Sequence, residues 1–301
     1  MKRLVLCLLA VVAGCGGNAS DGLDSSASAL ESIDGRGQPE NPALGVHWAR
    51  GEGAATKHGG GGSPDLLWHN GAILTSSTVT AIFWGSSWAT ASFVGDKISG
   101  LDQFYGGIGG SHYMRTNTEY TGTNGQVGSG VTYTGNVVDT SDGPSHAPKV
   151  SAINAEVCKM IASPVANGYY PVYTDLPRGD AGYCAWHSFG TCGGVPVQFG
   201  FFFMLDGDPG CDPRDSSGLH SQGLAALANV SGHELSEAVT DPRSGGWYDS
   251  SGAENADKCA WTFNGLETFG RTSWLIQGNW SNSAYDNGQT GYTRGGCING
   301  N

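Results

Sequence analysis

Between residues 223 and 240 the chain carries an apolar run broken by a few ionisable groups, and that combination restricts the fold more than any other feature. Leu224, Leu227, Ala228, Leu235, Ala238 and Val239 recur at helical spacing. They leave too little polar surface for a helix lying free in solvent, so the pattern predicts a helix held inside a domain. Gly232 sits within it, where glycine costs about 1 kcal/mol relative to alanine, which implies a close packing neighbour. Pro242 stops the helix, because the residue before a proline is pushed out of helical angles.

The ionisable groups are His233, Glu234 and Glu237. Four positions on a helix bring side chains back to one face, so an imidazole nitrogen of His233 and a carboxylate oxygen of Glu237 can share a metal ion. Glu234 stands where the glutamate of H-E-x-x-H zinc peptidases takes a proton from metal-bound water. Here the second ligand is glutamate, making the motif H-E-x-x-E. Two carboxylates leave an ion less electrophilic than two histidines do, so the expectation is modest activity or a metal other than zinc. A solvated helix face is the alternative reading of the same three residues.

A catalytic zinc site needs a third protein ligand and an open position. Glu254 and Asp257, in the turn-rich stretch after the helix, both qualify, with Asp257 favoured because a disulfide at Cys259 could hold it steady. His187, expected in a loop after a strand, is a candidate to stabilise an oxyanion or donate a ligand, or else a hydrogen-bonded core histidine. Asp206, Asp208 and Asp212 have the composition of a calcium site and equally of a solvated turn.

Met1-Lys2-Arg3 followed by the apolar residues 4–13 reads as a secretory leader, too short to span a bilayer as a mature helix. Val12-Ala13-Gly14-Cys15 has the form of a bacterial lipobox, which predicts cleavage after residue 14 and a lipid on Cys15 that tethers the chain to a membrane surface. Residues 15–64, ending in Gly59-Gly60-Gly61-Gly62-Ser63-Pro64, read as a flexible tether or pro-segment without a core. Of eight cysteines, those at 158, 184, 192, 211, 259 and 297 remain for the folded part, an even number suited to disulfides in an oxidising compartment, with unreadable pairing. A net charge of −12 argues against nucleic acid as a partner, since such a surface repels phosphate backbones.

Residues 65–301 suffice for one domain. β-Branched and aromatic runs predict strands at 77–84, 131–138, 169–174 and 194–205, the last apolar enough for a central position. Amphipathic spacing predicts helices at 93–104 and 149–163. The implied architecture is α+β and zincin-like, a mixed sheet packed on helices with the metal motif on a long central helix.

Several segments resemble the phosphate-induced, or EXORDIUM-like, family best known as secreted plant proteins. They are Leu67-Trp68-His69-Asn70-Gly71-Ala72-Ile73-Leu74-Thr75, Val79-Thr80-Ala81-Ile82-Phe83-Trp84-Gly85, Tyr170-Pro171-Val172-Tyr173-Thr174, Gly182-Tyr183-Cys184-Ala185-Trp186-His187, residues 227–242 and Gly246-Trp247-Tyr248. The chain is similar to a bacterial form that keeps H-E-x-x-E-A-x-T-D-P with a following Glu and Asp-x-Cys. Plant members lack the His-Glu pair, which implies a common scaffold with metal chemistry in only one branch. The expected function is an exported, lipid-anchored zinc metallohydrolase acting on a protein or peptide. Its rivals are a non-catalytic surface binding domain and a carbohydrate-active protein built on paired carboxylates and tryptophans.

Overall fold

A computed structural model describes residues 40–52, 65–289 and 295–299. Its main sheet has six strands: β1 (Leu44–Trp48), β2 (Ser77–Trp84), β3 (Val131–Asp139), β4 (Gly168–Pro177), β5 (Tyr183–Cys192) and β6 (Val195–Met204). They lie in the order β1-β5-β6-β4-β2-β3. The pairs β6–β4, β4–β2 and β2–β3 are parallel, whereas β1–β5 and β5–β6 are antiparallel. Three helices accompany them: α1 (Lys97–Ile108), α2 (Val150–Met160) and α3 (Gln222–Thr240). The architecture is therefore mixed α and β around a mixed sheet, as the sequence pattern predicts.

Parallel neighbours need long crossovers, and α1 and α2 supply them between β2, β3 and β4. β5 and β6 need only a tight turn, closed by Gly193 and Gly194 at φ of 57° and 87°. β6 lies inside the sheet with both faces covered, which is why it reads as a continuous apolar run. Trp186, Phe201 and Phe203 pack together on one face. His187 is paired with Gly200 and points to the other face, as strand alternation requires. α2 covers the first face, where Gly190 meets Asn154, and α3 covers the second across β5, β6 and β1.

The Ser221 hydroxyl caps α3 by accepting from the Leu224 amide, and the helix ends at Asp241 before Pro242. Every residue from Gly223 to Thr240 is buried. The packing neighbour implied at Gly232 is Tyr113, whose hydroxyl would lie 3.1 Å from a Cβ there.

Three expectations need correction. The helix expected at 93–104 is split: Ala91–Val94 form one turn, Gly95 leaves helical angles at φ 52°, and α1 starts at Lys97. His187 lies in strand β5, not in a loop, because Tyr183–Cys192 pairs along β6. The segment 15–64 is not a tether throughout, since Leu44–Trp48 pairs with β5 and buries its alternate side chains. The leader, Cys15 and the glycine run at 59–62 lie outside the described residues.

The six remaining cysteines form Cys158–Cys192, Cys184–Cys211 and Cys259–Cys297. Three disulfides are the mark of an exported protein. Among the described residues no helix is long and apolar enough to cross a membrane.

Candidate metal centre

α3 presents His233 and Glu237 to the sheet face that also carries His187. His233 Nε2 stands 3.1 Å from Glu237 Oε1 and 3.5 Å from Asp257 Oδ1, without hydrogen-bond alignment to either. Asp257 begins a short 3-10 turn, Asp257–Cys259, that the disulfide from Cys259 to Cys297 anchors. Its amide donates to Glu237 Oε1 at 2.9 Å, which locks the turn onto the helix. Glu254 takes another place: its Oε1 accepts from His187 Nε2 at 3.3 Å. The two acids offered as alternatives in the sequence are thus both present, on opposite sides of Glu237. His187, offered for an oxyanion, belongs to the Glu254 side.

Burial makes this cluster costly as it stands. His187, His233, Glu234 and Glu237 have no exposed surface, and Glu254 retains only 3%. Both Glu234 oxygens, Glu237 Oε2, Glu254 Oε2 and His233 Nε2 have no hydrogen-bond partner. Desolvation disfavours charge, so burial lifts the Glu237 carboxyl to about 7, with Asp257 pushing further and His233 opposing. Burial also lifts Glu234 well above its usual range, offset by His233 and reinforced by Glu237 and Asp257. Glu254 is raised by burial and then by Asp241 and Glu237. Burial pulls His233 down, but the charges of Glu237 and Asp257 outweigh it and the net direction is strongly up. His187 is lowered to about 3 by burial and by His233. Four acids gathered in a dry place call for protons or for a cation.

Three residues here carried no signal that sequence reasoning could use. Gln277 Nε2 donates to His233 Nδ1 and to the Ala256 carbonyl, each at 2.8 Å, while its Oε1 accepts from His47 Nε2 at 2.9 Å. With Nδ1 accepting, neutral His233 carries its proton on Nε2. A cation on Nε2 needs that proton on Nδ1, which Gln277 meets by a half-turn of its amide, at the expense of its bonds to the Ala256 carbonyl and from the Trp261 amide and with the His47 proton moved from Nε2 to Nδ1. Gly45, at φ 44°, runs against the cluster: a Cβ there would lie 1.9 Å from Glu237 Oε2 and 2.6 Å from His187 Nε2. β1 thus closes the site from the edge of the sheet. Only Asp257 keeps appreciable exposure, 18% of its side chain. Neither the 230 Å³ concavity beside Ile73 and Arg243 nor the 660 Å³ groove beside Trp84 and Lys149 shares a lining residue with the cluster.

The calcium site expected from Asp206, Asp208 and Asp212 is not formed. Asp206 pairs with Lys97, Asp208 with Arg178 and the amides of Gly210 and Cys211, and Asp212 with the amide of Arg214. These carboxylates are engaged by neighbouring amides and side chains, as in a turn. Among the described residues, the groups with metal-ligand spacing are His233, Glu237 and Asp257, and His187, Glu237 and Glu254.

No family model matches the chain, and no curated protein or solved structure matches it either.

Proposed function

We propose that the protein is an exported metal-dependent hydrolase, tethered through a lipid on Cys15, that cleaves peptide bonds. One observation carries this reading: Glu237 Oε1 and Asp257 Oδ1 lie 3.1 and 3.5 Å from His233 Nε2, and the next residue, Glu234, has no hydrogen-bond partner on either carboxylate oxygen. Donors about 2.0 to 2.2 Å from a tetrahedral ion sit roughly 3.3 Å from one another, so the spacing suits one zinc-sized cation. When bound there, such a cation supplies Lewis acidity and an acidified water. His233, Glu237 and Asp257 hold and orient it, and Asp257, the exposed edge, marks the side that faces solvent. Glu234 takes the proton released in hydrolysis on a carboxylate oxygen and returns it to the leaving amine. A zincin-like placement of the motif helix under the sheet, and the likeness of residues 227–242 to the EXORDIUM-like helix, belong to the same reading.

The second reading is a non-catalytic surface domain in which the cluster is a closed structural element. The observation that favours it is burial, with Gly45 and His47 of β1 sealing the acids. Elemental analysis of the purified chain, with hydrolysis of casein or a peptide library, separates the two. Under the first reading the chain holds metal, and Glu234→Gln lowers hydrolysis by roughly 10²- to 10⁴-fold at unchanged metal content. A metal-free chain, or hydrolysis indifferent to that substitution, overturns it.

A further inference from the structure

Glu237 stands between the two histidines. Its Oε1 faces His233 and the Asp257 amide, while its Oε2 is wholly buried, unpartnered and turned toward His187. His187 Nε2 and Glu254 Oε1 are 3.3 Å apart, about the edge of a tetrahedron around a zinc-sized ion, as on the His233 side. One ligand atom each from His187, Glu237 and Glu254 lies within 4.8 Å of the others.

We propose that the centre is dinuclear: a second divalent cation sits between His187, Glu237 and Glu254, and the Glu237 carboxylate bridges it to the cation at His233.

This deepens the hydrolase reading and rests on it. Three further observations point to the second ion. Glu254 Oε2, like Glu237 Oε2, is buried with no hydrogen-bond partner, and orphaned buried carboxylate oxygens are rare without a ligand. Gly45 packs directly against this pair: a Cβ on residue 45 would lie 1.9 Å from Glu237 Oε2 and 2.6 Å from His187 Nε2, so only glycine leaves the two ligand atoms free of a side chain. Charge agrees as well: Glu237, Glu254 and Asp257 have histidines as ion-pair partners, Glu234 is buried with neither oxygen hydrogen-bonded, and two divalent cations would neutralise all four carboxylates. Each ion would have one imidazole and two carboxylates, a donor set suited to Zn²⁺, Co²⁺ or Mn²⁺ rather than to thiolate-seeking metals. Ions sharing one carboxylate lie about 3.5 to 4 Å apart, the spacing at which a pair can clamp the attacking and leaving groups of a hydrolysis.

The test is metal stoichiometry of the full chain, with Co²⁺ as the probe. After chelation and Co²⁺ titration, wild type is expected to bind two equivalents, and His187→Ala or Glu254→Gln one. The filled wild type should show the weakened electron paramagnetic signal of two coupled ions, a readout that needs no variant to fold. One equivalent, lost in His233→Ala and kept in His187→Ala, overturns the second site and leaves the hydrolase reading standing. One equivalent lost only in His187→Ala, or no binding, overturns both. Two equivalents with the spectrum of isolated ions overturn the bridge.

Discussion

Ser231, Ser236 and Thr240 are buried as deeply as His233, Glu234 and Glu237, on the same helix, yet the two sets are provided for in opposite ways. Ser231 exchanges a hydrogen bond with the Tyr173 hydroxyl at 2.6 Å. Ser236 accepts from Asn117 at 3.1 Å and from Asn279 at 2.9 Å, and Thr240 donates back to the carbonyls of Ser236 and Glu237. The ionisable set has been left with bare atoms: both oxygens of Glu234, one of Glu237 and Nε2 of His233. A fold able to satisfy the hydroxyls of this helix has not done so for its carboxylates. The costs point the same way, since an unsatisfied buried group costs about 1 to 3 kcal/mol and a charged one more. The hydroxyls are provided for within the fold, whereas the carboxylates are left to a proton or to the cation proposed above.

The contrast can be broken most directly by removing metal. Saturation at a thousandfold above Kd is worth about 4 kcal/mol, so chelation should lower the melting temperature of a domain this size by roughly 10 °C. Scanning calorimetry with and without chelator measures it, and an unchanged transition would mean that the carboxylates need nothing. Next in size is Gly45→Ala. A side chain there is forced into the left-handed region and against Glu237 Oε2, which should cost roughly 2 to 4 kcal/mol and reduce bound metal. Urea unfolding and elemental analysis on the same sample test both effects, and full metal content would show that β1 does not shape the centre.

Ser236→Ala probes the hydroxyls. It strips an acceptor from Asn117 and Asn279 and should destabilise by about 2 kcal/mol while leaving metal content untouched, a separation that urea unfolding and metal analysis can verify. The smallest effect is expected at Gly232→Ala. Helix propensity gains about 1 kcal/mol, and the Tyr113 hydroxyl, 3.1 Å from the new Cβ, takes back a similar amount. The net change should stay within about 1 kcal/mol, and a loss of several would mean that Tyr113 cannot yield.

Much of this molecule is legible from local pattern. The strand at 77–84 is observed with those bounds, α2 falls within its expected span, and α3 runs from 222 to 240 because its periodicity and proline stop are written in adjacent residues. His233 and Glu237 meet for the same reason, since helix geometry brings residues four apart to one face. Asp257 was within reach too, through the nearby cysteine.

What the chain order conceals is everything that arrives from elsewhere. His187 and Glu254 are 67 positions apart, Gln277 reaches His233 across 44, and His47 reaches Gln277 across 230. No period connects such residues. The tertiary structure alone decided that β1, expected in a featureless tether, is the edge strand closing the centre, and that Glu254 and Asp257 serve different sides of one carboxylate. Helix formation depends on neighbours along the chain, whereas sheet pairing and side-chain convergence depend on which distant surfaces bury each other.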